Sequence, residues 1–275
     1  MESDPREGSS VETTAEPAVL RIVREPTVYL VGRQVVDDDV VRQFLQDHEA
    51  SWETDTEVGA ERLIEAAGRV CYMSFGLGRK TNAEYIGHLV SVGHGSVLEH
   101  AVWNLIIAGV SRSFTHELIR HRAGFGYSQL SQRYVDESTA DFVEPDVIAD
   151  DTELHAIWMD AVQKTQEAYR KLVEGLTRKY ADVKDRTLRR KLARQAARSV
   201  LPNATETKIF VTANARALRH FIEMRASEHA ELEIRKVAAQ VLRLMQIEAP
   251  NVFGDYKLVP LDDGTEAAET PHRKV

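Results

Sequence analysis

The chain has 275 residues, of which 43% are hydrophobic and 28% are charged, a composition typical of one globular domain. Its formal net charge of -8 argues against a general binder of nucleic acid polymers or of membrane surfaces, because such a domain would be basic overall. A phosphate ligand must therefore bind in a local basic pocket, which suits a small nucleotide better than a polymer.

Both end regions are predicted to lie outside the folded part of the chain. Residues 1–25 are rich in Glu, Ser, Thr and Pro, and this composition predicts a disordered tail. Residues 259–275 predict a second, loose tail. Residues 26–258 then form a single domain, because no internal repeat or Pro/Gly-rich linker divides them.

Between these tails the hydrophobic periodicity is mostly helical. Strands are predicted from β-branched content at Thr27–Val36, Glu99–Val110, Leu130–Val135 and Glu206–Ala213. Helices are predicted at Glu57–Val70, Thr81–Val92, Ser111–Arg122, Thr152–Lys179, Arg186–Val200, Ala215–Ala226 and Glu228–Glu248. Few strands among many helices, without a regular βαβ alternation, predict an α+β domain.

Residues 120–134 (RHRAGFGYSQLSQRY) combine basic, hydroxyl and amide side chains around glycines and contain no acidic residue. Arginine offers a planar fork that matches phosphate and the edge of a nucleobase. Glycine lets backbone N–H groups approach an anion closely. The segment therefore predicts a phosphate- and base-binding site. A solvated Glu117–Arg120 pair at helical i, i+3 spacing explains those two residues, but it leaves Arg122, Ser131 and Arg133 unexplained.

Four histidines, His94, His100, His116 and His121, are loosely grouped in the sequence. No pair of them has the i, i+4 spacing with a carboxylate that zinc proteases use, so no metal site is predicted. Around His94 and His100, a simple turn whose histidines bond to the backbone is the first interpretation. A metal-dependent nucleotide hydrolase is kept as an alternative that a chelator would inactivate.

The predicted helix Ala215–Ala226 has polar residues on two sides. Arg225 falls on its apolar stripe, where a guanidinium needs an anionic or hydrogen-bonding partner. Arg216 and His220 are four residues apart and face the opposite side. One ligand bound within one subunit would not need polar sites on two different sides of this helix. The arrangement therefore predicts an active site that is shared between subunits. The apolar stripe consists of Leu218, Phe221 and Ile222.

The order Arg120-His121-Arg122, a short spacer and Ser131 in Ser-Gln-Arg-Tyr is similar to the signature of flavin-dependent thymidylate synthases, the ThyX family. Blocks at residues 94–100 and 198–225 resemble the same family in the same order, and the resemblance spans roughly Gly68–Phe253. The spacer before Ser131 is one residue longer than in the commonest form of the signature. We expect the glycines early in this loop to absorb the extra residue as a bulge.

The resemblance implies a ThyX-like fold, with a mixed, largely antiparallel sheet flanked by helices, and a homotetramer with shared active sites. It implies reductive methylation of dUMP to dTMP, with 5,10-methylenetetrahydrofolate as carbon donor and FAD reduced by NADPH as hydride source. The implied FAD-binding residues are Ser96, Arg120, His121, Arg122, Gln129, Asn214, Arg216 and His220. The implied dUMP-binding residues are Glu117, Arg120, Gln129, Leu130, Ser131, Gln132, Arg133, Arg198 and Arg225.

Within this resemblance Arg225 has the catalytic role, because a guanidinium beside N3 and O4 of uracil stabilises negative charge on the pyrimidine. Cys71 is the single cysteine, so no internal disulfide forms and a reducing cytoplasm is predicted. It has no adjacent histidine, which predicts a buried structural cysteine and no enzyme nucleophile. The absence of a Gly-x-Gly-x-x-Gly sequence excludes a Rossmann-type FAD site.

A non-catalytic nucleotide- or RNA-binding protein is the alternative from another class. The negative net charge argues against RNA. Salt-sensitive affinity for RNA, without affinity for dUMP, would favour this alternative.

Overall fold

The computed structural model describes residues 20–275. A four-stranded sheet lies at the centre of the fold. The described strands are β1 (Ile22–Val23), β2 (Thr27–Arg33), β3 (Val102–Ser111), β4 (Phe125–Gln129), β5 (Phe142–Val143), β6 (Glu206–Asn214), β7 (Lys257–Pro260) and β8 (Glu266–Glu269). The described helices are α1 (Asp38–Asp47), α2 (Gly59–Tyr72), α3 (Asn82–Ser91), α4 (Gly95–Leu98), α5 (Arg112–Leu118), α6 (Asp146–Ala149), α7 (Thr152–Lys179), α8 (Arg186–Ala197), α9 (Ala215–Arg225), α10 (Leu232–Glu248) and α11 (Pro250–Phe253).

The central sheet has the strand order β2-β3-β6-β4, and each neighbouring pair is antiparallel. Its inner face packs against the helices and contributes Trp103, Leu105 and Ile107 from β3 to the core. The side chains alternate between faces because the side-chain period of a strand is two. The predicted single α+β domain with a largely antiparallel sheet is confirmed.

Local sequence signals place several helix ends correctly. The helix predicted at Thr152–Lys179 has these bounds in α7, and Asp151 caps it by accepting from two main-chain N–H groups. The Thr81 side chain caps α3 in the same way, and Asn214 caps α9. Such caps satisfy N–H groups that have no partner within the helix.

The sequence prediction is wrong at the Arg-rich segment. The predicted strand Leu130–Val135 is a turn, and the strand of this region is β4, which ends at Gln129. The chain leaves the sheet there because Nη2 of Arg112 donates to the Leu130 carbonyl at 2.9 Å. The helix predicted to continue to Arg122 ends at Leu118. Beyond it the His121 N–H donates to the Leu118 carbonyl at 3.0 Å, and the Tyr127 hydroxyl lies 2.6 Å from the His121 carbonyl.

The predicted loose tail at residues 259–275 is instead folded. Strands β7 and β8 form an antiparallel hairpin, and the Ala268 N–H donates to the Ala226 carbonyl at the end of α9, at 2.7 Å. Val275 is buried. Of the other predicted tail, residues 1–19 lie outside the described part of the chain, whereas Ile22–Val23 pairs in parallel with β5. None of the helices between residues 20 and 275 combines the length and the hydrophobicity that crossing a membrane requires.

Candidate active site

The Arg225 guanidinium, which lies on the apolar stripe of α9, has both an anionic and a neutral hydrogen-bond acceptor. Its Nη1 donates to Oε2 of Glu117 at 2.9 Å, and its Nε donates to Nε2 of His121 at 3.0 Å. Glu117 lies in the last turn of α5, and His121 follows that helix. The fold thus joins the end of α9 to the Arg-rich segment, although more than 100 residues separate them.

His121 is neutral in this environment. Burial lowers the pKa of His121 to about 4, and the charges of Arg225 and His220 contribute to the same shift. Because a guanidinium can only donate, Nε2 of His121 accepts, and the ring proton therefore lies on Nδ1. The His121 ring packs edge-on against Phe221, with 5.3 Å between the ring centroids. An uncharged aromatic ring thus lies directly beside the Arg225 guanidinium.

The two predicted polar sides of α9 are less separate than expected. Arg216 does lie away from Arg225, and its Nη1 donates to Oε1 of Glu99 at 2.6 Å, after α4. The centroid of the His220 ring, however, lies 5.8 Å from that of the His121 ring. His121 is the residue whose Nε2 accepts a hydrogen bond from Arg225. The prediction that His220 faces away from Arg225 is therefore wrong, because its side chain reaches the loop that follows α5.

The start of α9 lies directly against the Arg-rich segment. The Asn214 side chain accepts from the Ala217 N–H at 2.8 Å, and the Asn214 N–H donates to the Gly124 carbonyl at 3.1 Å. Gly124 has a φ of +73°, and a Cβ added there would lie 2.7 Å from Nδ2 of Asn214. Only glycine fits this backbone conformation and this close approach. Strand β4 then pairs with β6 without a register shift.

Several of the predicted FAD-binding side chains are accessible. Ser96 in α4 is exposed, and so are Arg120 and Arg122, which flank the partly buried His121. Gln129, at the end of β4, is directed inward, where its Nε2 donates to the Thr115 hydroxyl at 3.1 Å. The exposed arginines leave guanidinium groups at the surface beside the His121 ring.

A second polar cluster follows β4. The Arg133 N–H lies 3.4 Å from the Ser131 hydroxyl, and Arg198 is exposed in the 3-10 turn after α8. Within residues 20–275, the buried Nε2 of Gln132 and Nε of Arg133 have no hydrogen-bond partner. Unpaired buried donors are uncommon in native proteins, and this turn contains two of them.

Sequence reasoning missed Arg112 in this second cluster. Arg112 also binds the Leu130 carbonyl. Burial lowers the pKa of Arg112, the charge of Glu137 opposes this shift, and the charge of nearby Arg198 adds to it. Its position was a detectable signal, because a positive charge in the first turn of a helix opposes the helix dipole and needs another reason to be there.

Within one chain the two clusters lie at opposite ends of β4. His121 precedes the strand, and Ser131 follows it. Five residues of β-strand separate their backbones by about 15 Å, at roughly 3.3 Å per residue. The Arg225 side chain hydrogen-bonds to residues that precede β4, whereas Arg198 lies near Arg112, which donates to the Leu130 carbonyl after β4.

Cys71 is exposed at the end of α2, so its predicted burial is wrong. The helical turn that carries it projects from the core and leaves Val70 and Tyr72 exposed as well. Across residues 20–275, His, Cys, Asp and Glu side chains nowhere gather in groups of three or more that could hold a metal ion.

Comparison with known proteins identifies one family. The model of the family described as thymidylate synthase complementing protein matches residues 54–251. The flavin-dependent thymidylate synthase of Mycolicibacterium gilvum is 53% identical over 232 residues, which cover 83% of this chain and 92% of that protein. The enzymes of the same name from Mycobacterium avium and Mycobacterium bovis are 52% and 51% identical over 231 residues, with the same coverage of each chain.

Proposed function

The chain belongs to the family of flavin-dependent thymidylate synthases, and from this premise we propose that it makes dTMP by reductive methylation of dUMP. The carbon donor is 5,10-methylenetetrahydrofolate, and no cysteine thiolate of the enzyme attacks the pyrimidine. When bound, FAD that has been reduced by NADPH supplies the hydride. The protein is then a methyltransferase whose own side chains bind, orient and polarise the reactants.

The observation that carries this proposal is the environment of Arg225. Contacts to Glu117 and His121 fix its guanidinium, and the neutral imidazole adds no positive charge beside it. The remaining N–H groups of the Arg225 guanidinium can donate to O4 and to an ionised N3 of uracil. Negative charge stabilised in this way makes carbon 5 of the pyrimidine more nucleophilic. We therefore assign the catalytic role to Arg225.

The second cluster is our candidate for the phosphate end of dUMP. Guanidinium groups and the N–H groups of a turn are the donors that a dianionic phosphate requires, and Ser131, Arg133 and Arg198 offer them. The unpaired donors of Gln132 and Arg133 support this assignment. The proposed dUMP contacts also include Glu117, Arg120, Gln129 and Leu130.

The residues around His121 fit a flavin. The exposed guanidiniums of Arg120, Arg122 and Arg216 suit the pyrophosphate of FAD, since arginine binds phosphate oxygens in pairs. The neighbouring rings of His121 and His220 offer aromatic surface for a planar ring system. The proposed FAD contacts also include Ser96, Gln129 and Asn214, and the proposal involves no metal.

A homotetramer with active sites shared between subunits is part of the proposal. Two observations support it: Arg225 and Arg198 belong to clusters at opposite ends of β4, and the outer face of the sheet carries a row of apolar residues. On that face Tyr29, Ile106 and Phe210 are aligned across three strands, and Tyr29 and Phe210 are exposed. Apolar rows of this kind are typical of subunit interfaces. We further propose a cytoplasmic location, which suits a chain with a single cysteine.

The decisive experiment measures NADPH oxidation by the full chain with FAD, with and without dUMP and methylenetetrahydrofolate, and detects dTMP by chromatography. We expect dTMP only when all components are present. The Arg225→Ala variant should lose turnover by about 100-fold or more, a typical loss when a charge-stabilising donor is removed, and should retain most of its flavin affinity.

Arg190→Ala is the matched control, because Arg190 is an exposed arginine on α8 outside both clusters. It should leave turnover and flavin affinity unchanged. A wild-type protein that shows no flavin spectrum after FAD is added, or forms no dTMP, would refute the proposed function. Equal losses of turnover and flavin affinity in Arg225→Ala would refute the catalytic assignment alone.

A further inference from the structure

Residues 270–275, which we call the strap, pack along one face of α9. Nη2 of Arg219 donates to the His272 carbonyl at 3.3 Å, and the Lys274 N–H donates to Oε2 of Glu223 at 3.0 Å. Arg219 and Glu223 are four residues apart in α9, so both side chains lie on the same face of the helix. The strap therefore holds α9 at two successive turns.

The strap is anchored in the protein interior. Arg219, only 1% exposed, also donates to both carboxylate oxygens of Asp255, at 2.6 and 2.9 Å. The Thr270 hydroxyl donates to the same carboxylate. Val275 is 8% exposed and belongs to the hydrophobic core. A charge-assisted network and an apolar contact thus both hold this segment in place.

The strap also meets α4. A Cβ added to Gly95 would lie 2.6 Å from the main-chain carbonyl carbon of Val275 and 2.9 Å from Nε of Arg216. Gly95, Val275 and Arg216 are therefore packed so tightly that only glycine fits at position 95. Ser96 is the next residue of α4, and Arg216 is the second residue of α9.

We propose that the strap is a positioning element of the flavin site, an inference that rests on the proposed function. Val275 fills the space between α4 and α9 and so fixes the distance between Ser96 and Arg216, two of the proposed flavin contacts. The arrangement of these side chains is then established when the chain folds and needs no ordering when the flavin binds. Preorganisation of this kind increases affinity because less conformational entropy is lost on binding.

The test compares the full chain with a variant that lacks residues 271–275, both as apoprotein, by titration with FAD followed through flavin fluorescence. We expect the dissociation constant for FAD to rise about 10-fold, which corresponds to the loss of order in one or two side chains. Affinity for dUMP at saturating FAD and the far-ultraviolet circular dichroism should be unchanged. Equal FAD affinities would overturn the proposal, and tighter FAD binding by the variant would do the same, because the strap would then occupy space that the flavin needs.

Gly95→Ala tests the same contact in the full-length chain and decides the question if the truncated variant does not fold. The added methyl group must push Val275 and the Arg216 side chain apart from Gly95, so FAD affinity should fall by a similar factor. Gly87→Ala in α3 is the matched control, since a Cβ there meets no atom within 4 Å, and it should leave FAD affinity unchanged. Equal FAD affinities in Gly95→Ala and Gly87→Ala would overturn the proposal. A full chain that binds no FAD would instead refute the proposed function.

Discussion

Arg225 donates from Nε to Nε2 of His121 at 3.0 Å, and this hydrogen bond determines the protonation of the imidazole. Nε2 must carry a lone pair to accept, so the neutral ring bears its proton on Nδ1. Nitrogen-15 spectra of the apoprotein should therefore show His121 as the Nδ1–H tautomer at neutral pH. In an Arg225→Ala variant this tautomer preference should weaken, and an unchanged spectrum would contradict the hydrogen bond.

The lowered pKa of His121 predicts a pH dependence of stability. The pKa is about 4 in the folded protein, compared with an ordinary value of 6.5, so between these values the unfolded chain binds a proton that the folded chain does not. The free energy of unfolding therefore falls as the pH decreases from 6.5 towards 4, and this contribution is constant above 6.5. In a His121→Gln variant of the apoprotein this component should be absent. Urea unfolding at several pH values checks it, and parallel profiles for the two proteins would count against it.

Substitution of Gly124 should destabilise the protein strongly. Alanine at this position must adopt a φ of +73°, and its Cβ would meet Nδ2 of Asn214 at 2.7 Å, which displaces the cap of α9. The left-handed backbone and the lost cap together cost about 2–4 kcal/mol. Gly126→Ala, two residues further on, is the control, because its Cβ makes an ordinary 3.7 Å contact with Thr212. Chemical denaturation of both variants gives the comparison, and similar losses of stability would show that the glycine conformation is unimportant.

The cap of α9 can be separated from the proposed flavin contact of Asn214. Asn214→Ala removes the acceptor for the Ala217 N–H and should lower stability by about 1 kcal/mol. Asn214→Ser retains a capping oxygen and should unfold close to the wild-type midpoint, yet it lacks the amide that we assign to FAD. We expect weaker FAD binding in both variants, measured by fluorescence titration. Wild-type FAD affinity in Asn214→Ser would remove Asn214 from the flavin site.

A buried ion pair in α2 should contribute far more to stability than a surface pair. Burial alone would raise the pKa of Glu65, but hydrogen bonds from Asn82, Trp52, Arg69 and Thr54 outweigh it and hold the pKa below its usual value. Arg69→Met leaves this buried carboxylate without its counter-ion and should cost about 3–5 kcal/mol.

The surface control for Arg69→Met is Lys164→Met, because Lys164 pairs with Asp160 on the exposed side of α7. An exposed pair of this kind contributes less than about 1 kcal/mol. Urea denaturation curves of the two variants provide the measurement, and comparable losses of stability would disprove the difference between the two pairs.

Features that depend on neighbours in the chain could be predicted from the sequence. The bounds of α7 follow from apolar periodicity and from a capping Asp151, both of which act within one or two helical turns. The α+β class and the need of Arg225 for a partner were predicted from the same local patterns. The three sequence blocks, together with the similarity to mycobacterial enzymes, account for the family.

Only the tertiary structure decided which distant residues meet. Arg225 reaches Glu117 and His121, and the strap reaches Gly95, because the sheet register and the packing of α9 bring these segments together. Periodicity contains no information about such pairs, since a hydrophobic stripe specifies a buried face but not the surface that covers it. The same reason explains the exposure of Cys71 and the folded hairpin after residue 256: short-range composition describes a segment alone, whereas burial depends on what packs against it.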